Sequence, residues 1–252
     1  MKNKIINITI LVLLGGFIFF RVNTALNQMD NGEKTAEPQP EIPSTFYGTI
    51  PCADCPGIEY LLHLDENRYS EMRWYIDRNS TPSEQAGTWE QRSDTLFLHD
   101  STDENYRAFL VDNERLTLLD RDQNRVTGDL ADHYILHRLH EATSIRKQYE
   151  KLSGDGVAFV ATGNEPFWNI RIYDDGKLVF TTPESEHRFD EFESTENNGI
   201  MEYIAEDQSA SIYMSSEPEF CRDSMSGYIF THSVSVSLNE DFSAQGCGQF
   251  LK

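Results

Sequence analysis

The sequence predicts an all-β protein: two small barrel or sandwich domains, joined by a short helix and placed behind an N-terminal membrane helix. Three observations carry that expectation. Short β-prone runs recur from Phe46 onward at roughly the 8–12-residue spacing of barrels and sandwiches. One stretch of helical period interrupts them near the middle. The motifs and cysteines fall into two separate sets, one on each side of that stretch. Of the 252 residues, about 200 remain after the N-terminal segment, room for two ordinary β domains.

At the N-terminus, Lys2 and Lys4 precede a largely apolar run from Ile5 to Phe20 that stops at Arg21, the pattern of an export signal or an anchor. As a helix this run would rise about 24 Å against a hydrocarbon core of roughly 30 Å, so length leaves both open. The flanks favour an anchor. Cleavage after Ala25 would put Asn23 where a small residue is wanted, and Arg21 is a charge just past the apolar core. The lysines and the α-amino group favour an N-terminus inside and a body outside. Residues 1–26 are therefore expected to be the anchor. Residues 27–44 are expected to be a disordered tether, polar and carrying Pro38, Pro40 and Pro43.

The first β domain is expected over 45–138, with strands at Phe46 to Ile50, Glu59 to Leu64, Tyr69 to Ile76, Gln85 to Glu90, Thr95 to His99, Tyr106 to Val111, Arg115 to Leu119 and Tyr134 to Leu136. Asp65-Glu66-Asn67 and Asp77-Arg78-Asn79-Ser80 supply turn chemistry between them. In the linking segment 139–156, Leu139, Ala142, Ile145, Tyr149 and Leu152 lie three or four residues apart, the period of one helical face. The second domain, 157–252, repeats the β pattern in Val157 to Thr162, Trp168 to Tyr173, Lys177 to Thr182, Ile200 to Ala205, Ser209 to Ser215 and Tyr228 to Leu238, with a hairpin turn at Asp174-Asp175-Gly176.

Acidic residues outnumber basic ones 42 to 21, for a formal charge of −21. That balance repels phosphate backbones and anionic headgroups, so nucleic acid is not an expected partner. The membrane partner enters through the N-terminal helix. The familiar catalytic signatures are absent: no phosphate-cradling glycine loop, no zinc-protease helix motif and no nucleophile elbow. A non-enzymatic role is expected.

The cysteines form two pairs, Cys52 with Cys55 and Cys221 with Cys247, and an even count in an exported chain suggests disulfides. A thiol pair two residues apart can also hold a soft metal such as Cu(I) or serve as a redox couple. A thioredoxin-like use is disfavoured by the β-like, proline-flanked surroundings. His63 and Met72 are candidate further copper ligands if the barrel brings them near the pair. His133, His137 and His140 would share a face on a helix, but on a strand His133 and His137 stand about 13 Å apart, which favours solvated side chains. Phe167 and Trp168, opening a strand, read as core anchors.

The run Phe46-Tyr47-Gly48-Thr49-Ile50-Pro51-Cys52-Ala53-Asp54-Cys55-Pro56-Gly57-Ile58, followed by Gly87-Thr88-Trp89 and Leu96-Phe97-Leu98, resembles the N-terminal domain of the NlpE family. The resemblance covers about residues 45–138. It implies a lipocalin-like barrel with the cysteine pair near its first strand, and a role in copper homeostasis or envelope-stress sensing that an envelope sensor protein reads. Those relatives are outer-membrane lipoproteins, whereas no cysteine precedes Cys52 here, so the expected location is the periplasmic face of the inner membrane. Gly163-Asn164-Glu165-Pro166-Phe167-Trp168, Cys221-Arg222-Asp223-Ser224-Met225-Ser226 and Gly246-Cys247 resemble a bacterial envelope domain of uncharacterised function. Two other functions fit the same residues: a carrier holding a small apolar molecule inside the barrel, and an exported thiol oxidoreductase.

Overall fold

The computed structural model describes residues 39–78, 82–100, 106–112, 114–239 and 241–251. The expected anchor and the tether as far as residue 38 lie outside them. No helix of the described residues is long and apolar enough to cross a membrane.

Eight antiparallel strands close the first barrel: β1 (Ser44–Ile50), β2 (Ile58–Leu64), β3 (Arg68–Tyr75), β4 (Ser83–Arg92), β5 (Thr95–His99), β6 (Tyr106–Asp112), β7 (Arg115–Leu118) and β8 (Ile135–Arg138). Each runs beside its sequence neighbour, and β1 also pairs with β8 through Phe46↔Arg138 and Tyr47↔His137. Alternation sends Phe46, Tyr60, Leu62, Leu64, Leu96, Leu98, Phe109, Leu116 and Leu136 inward, each at most 1% exposed. Eight strands make an interior just wide enough for side chains to fill. These side chains pack against one another as its core.

The interior also holds a charge. Glu71 is 1% exposed; it accepts from the Tyr60 hydroxyl and from the Arg107 guanidinium, which donates again to Gln85 at 2.6 Å. A buried carboxylate is tolerable only when paired and hydrogen-bonded in this way.

Closure needs a sharp bend in β4, which leaves β3 and joins β5 at Thr88, a residue paired with both Arg68 and His99. Gly87 makes the bend possible, because a Cβ there would lie 2.0 Å from the His99 carbonyl oxygen. Trp89 then covers the end of the barrel and donates its Nε1–H to the Asp65 carbonyl at 2.7 Å.

The tether was expected to run to Ser44, but its last residues are docked. Ile42 packs on the barrel core, Glu41 pairs with Arg138, and the Pro43 carbonyl accepts from Thr143 Oγ1 at 3.0 Å. Ser44 already belongs to β1.

Helix α1 (Ala142–Gly154) follows. Its expected apolar face is used: Ala142 is buried, and Leu139, Ile145 and Tyr149 pack on Tyr228, Phe230 and Cys247.

The second sheet contains β9 (Val157–Asn164), β10 (Phe167–Tyr173), β11 (Leu178–Thr181), β12 (Glu186–Phe189), β13 (Glu193–Asn197), β14 (Ile200–Glu206), β15 (Ser211–Glu217), β18 (His232–Leu238) and β19 (Phe242–Phe250). Its order is β12-β11-β10-β9-β19-β18-β15-β14-β13. Phe189 from one edge and Tyr203 from near the other join one apolar cluster, so the sheet curls around its core. A separate ribbon pairs β16 (Cys221–Arg222) with β17 (Ile229–Phe230). The stretch Tyr228 to Leu238, expected as one strand, is therefore divided between β17 and β18. Gly176, at φ +89°, makes the expected turn between β10 and β11.

Barrel and second sheet meet along the outer face of β1 and β2. Tyr47 contacts Phe220 edge-on at 6.3 Å, and Thr45 Oγ1 bonds His63 Nδ1 at 3.0 Å. Burial, reinforced by Arg146, lowers the pKa of His63 to about 4, and burial alone does the same to His232.

Two predictions follow from this packing. Gly87→Ala should lose about 2–3 kcal/mol of unfolding free energy by urea titration, the range of forced overpacking. The two histidines stay neutral when folded yet protonate near 6.5 when unfolded, so the unfolded state binds more protons between those values and stability falls as pH drops from about 6.5 to about 4. Urea midpoints for His63→Gln combined with His232→Gln should decline less steeply over that window than those of the wild type; equal slopes would contradict the assignment.

Candidate functional site

Between β1 and β2, Pro51 to Gly57 form a loop at the lip of the barrel. Cys52 and Cys55 are bonded, with sulfurs 2.04 Å and Cα atoms 5.3 Å apart. Proline on either side of the pair stops both strands, since it cannot donate to the ladder. Asp54 is exposed between the two cysteines; one carboxylate oxygen lies 3.6 Å from Cys52 Sγ, and the carboxylate pairs with Arg78. Arg78 also covers the Tyr75 ring at 5.3 Å, tying the loop to the turn after β3.

The chemistry of this arrangement is specific. A strand-to-strand loop offers no helix N-terminus to lower a thiol pKa, which argues against a dedicated thiol oxidoreductase. Reduction of the bond would free two thiolates, with a carboxylate as third donor, all within 4.8 Å of one another. The two thiolates are soft donors that suit Cu(I), the carboxylate being a hard one, so the residues fit copper in the reduced state alone.

Among the described residues no other His, Cys, Asp or Glu group is close enough to form such a set. His63 and Met72 line a cleft toward the second domain. His63 pairs with Thr45, about 17 Å along β1 from the end that leads into the cysteine loop. They do not join the pair. His133 ends a 3₁₀ turn, His137 lies exposed on β8, and His140 pairs with Glu114 at 2.9 Å; these three form no cluster.

The motifs of the second domain converge on one groove of about 560 Å³, whose walls include Asn164, Glu165, Arg222, Asp223, Gly246 and Cys247. Trp168 is buried in the core behind two glycines that line the groove. Its indole presses against Gly163 and Gly246, where a Cβ would come within 2.2 Å of Nε1 and 2.7 Å of Cζ2 respectively. The neighbouring Phe167 points the other way and is 53% exposed; both were expected in the core, but adjacent strand residues face opposite sides. Glu165 and Pro166 occupy the turn before them. The Cys221–Cys247 bond ties β16 to β19. Asn164 donates to Asp223 at 2.8 Å and to Ser224 at 3.0 Å. Against the cost of its burial, hydrogen bonds from Ser226 and Asn164 hold the Asp223 carboxyl below its usual range.

Sequence reasoning missed the Asp54–Arg78 pair, the Asn164–Asp223 bond and the Glu71 cluster. Each joins residues far apart in the chain, so no local pattern marks it.

With this geometry in place, comparisons with known proteins can be stated. Residues 46–129 match the NlpE N-terminal domain family. Lipoprotein NlpE of Escherichia coli (strain K12) is 38% identical over 98 residues, which cover 37% of this chain and 40% of that protein. The alignment thus spans about two fifths of the curated relative it matches. A crystal structure of a predicted lipoprotein from Shewanella oneidensis is 31% identical, covering 39% of this chain and 89% of that one, with a TM-score of 0.34. The crystal structure of the Cpx pathway activator NlpE from Escherichia coli is 17% identical, covering 83% and 95%, with a TM-score of 0.32. The fold rests on the strand pairing described above and not on these superpositions. Residues 46–129, which match the NlpE N-terminal domain family, lie within the closed eight-stranded barrel.

Proposed function

We propose that this is a non-enzymatic cell-envelope protein of copper homeostasis or envelope-stress sensing, in which the Cys52–Cys55 pair is the responsive element. The observation that carries this reading is a half-buried cystine in a loop open to solvent, with an exposed carboxylate between its cysteines, on the lip of a barrel that matches the NlpE N-terminal domain. Reduction by an envelope dithiol delivers two electrons and two protons to the bond, and the dithiol leaves as a disulfide. The freed thiols would release their protons to water on binding, and the two thiolates beside Asp54 would hold Cu(I). Opening the bond removes the constraint that shapes the loop, and a membrane sensor reads the change. The similar Escherichia coli protein is a Cpx pathway activator, which supports a stress-signalling partner.

In the same reading, residues 1–26 anchor the chain in the inner membrane. The tether carries barrel (45–138), linker (139–156) and second domain (157–252) on the periplasmic side. The second domain is of the envelope type its glycine, tryptophan and cysteine motifs resemble.

Titration of the reduced full chain with Cu(I), against a competing chelator, tests the metal arm. The wild type should bind about one equivalent, and Cys52→Ser with Cys55→Ser should bind at least about tenfold more weakly, as expected when soft ligands are replaced by hard ones. Equal affinity in both would remove the cysteines from the role.

A further inference from the structure

We propose that the cleft between the barrel and the second sheet binds a small monocarboxylate, held at its charged end by Arg146. The cleft has a volume of about 150 Å³. Thr45, Leu61, His63, Ser70 and Met72 wall it on the barrel side, and Tyr228, Ile229, Thr231, Gln249 and Phe250 on the other. Arg146 enters from helix α1.

Three observations point to a carboxylate. First, Arg146 is a half-buried residue whose Nε, the part turned away from water, has no hydrogen-bond partner. Buried polar groups, and buried charges above all, are expected to be paired. Second, no carboxylate lines the cleft, although the chain has twice as many acidic residues as basic ones, 42 against 21. The groups that feel the Arg146 charge are His63 and Tyr228, and neither supplies a counter-ion: the guanidinium helps keep His63 neutral, and the Tyr228 phenol, held protonated chiefly by burial, hydrogen-bonds the guanidinium without bringing a charge. Third, the lining is divided. Arg146, Tyr228, Gln249 and Thr231 gather polar groups, while Leu61, Met72 and Phe250 present apolar ones.

Size narrows the ligand. At about 30 Å³ per water-sized group the cleft holds roughly five such groups, matching a carboxylate of about three or four carbons. Inorganic phosphate would satisfy the guanidinium and leave the apolar wall unmatched. Because both domains contribute walls, a bound carboxylate would also hold barrel and second sheet together and raise the melting temperature by mass action. The site uses no cysteine, so its test is independent of the copper reading.

The experiment is a titration of the purified full chain with sodium butyrate at constant ionic strength, read as Tm and by calorimetry, with chloride, inorganic phosphate and octanoate as separate arms. Butyrate should give a saturable calorimetric signal and a Tm that rises with the logarithm of its concentration, while phosphate and octanoate should not exceed chloride. Arg146→Gln should weaken butyrate binding by about tenfold or more, the scale of a lost charge-assisted contact. Leu61→Phe, which fills the apolar wall and keeps the guanidinium, should abolish the response, and decides the matter if the arginine variant does not fold. No saturable calorimetric signal with butyrate, an unchanged response in Arg146→Gln or in Leu61→Phe, or phosphate binding as tightly as butyrate would each overturn the proposal.

Discussion

Barrel closure through β1 is the constraint on which the rest depends. A strand that pairs on both sides, with β2 over its whole length and with β8 at Phe46 and Tyr47, cannot shift register without moving every side chain it carries to the other face. Its inward residues, Phe46 and Ile50, belong to the barrel core. Its outward residues, Thr45 and Tyr47, are committed to His63, to Glu59 and to Phe220 of the second domain. Its end runs straight into Pro51 and the cysteine loop. One strand thus fixes the core, the domain interface and the position of the reactive pair.

How far the sequence discloses this depends on which force specifies each part. Strands of the barrel were legible because their alternation is a direct record of burial; Thr95 to His99 appears with the expected bounds. β19 was not, since Phe242–Phe250 is rich in small residues, and its place is set by pairing with β18 and β9 on either side. β12 and β13 escaped for a related reason: as edge strands they need few apolar residues, and Glu193–Asn197 is exposed throughout. β3 is the most instructive case. Met72 and Trp74 form the more apolar face of that strand, yet Tyr69 and Glu71 face the barrel interior, and Met72 faces the second domain. Glu71 can point inward because Tyr60 and Arg107 lie opposite, information that no local window contains.

The candidate site divides along the same line. The cysteine pair is a local motif and was visible as one. Arg78 belongs to the site because β2 and β3 pair Ile58 with Tyr75, which brings the turn after β3 beside the loop before β2. The motifs of the second domain were likewise visible, but their meaning was not. Gly163 and Gly246 are needed by the bulk of Trp168, and Asp223 by the shape of its own loop and by Asn164.

The two disulfides therefore have different physical roles. Cys221 and Cys247 are 26 positions apart, and closing that loop restricts the unfolded chain by about 3.5 kcal/mol in the entropy account. Cys247 is 5% exposed and packed with Ala142, Tyr228 and Phe230, so this bond holds β16, β19 and the helix in one cluster. Cys52 and Cys55 are three apart, a span worth about 2 kcal/mol in the same account, and their loop is open to solvent on the side of Ala53 and Asp54. Opening it leaves the barrel ladder and core intact, because neither cysteine contributes to them. A bond that adds little to stability, can be reached by reductants and soft ions, and lies at the end of the strand that also touches the second domain is suited to change state while the fold persists.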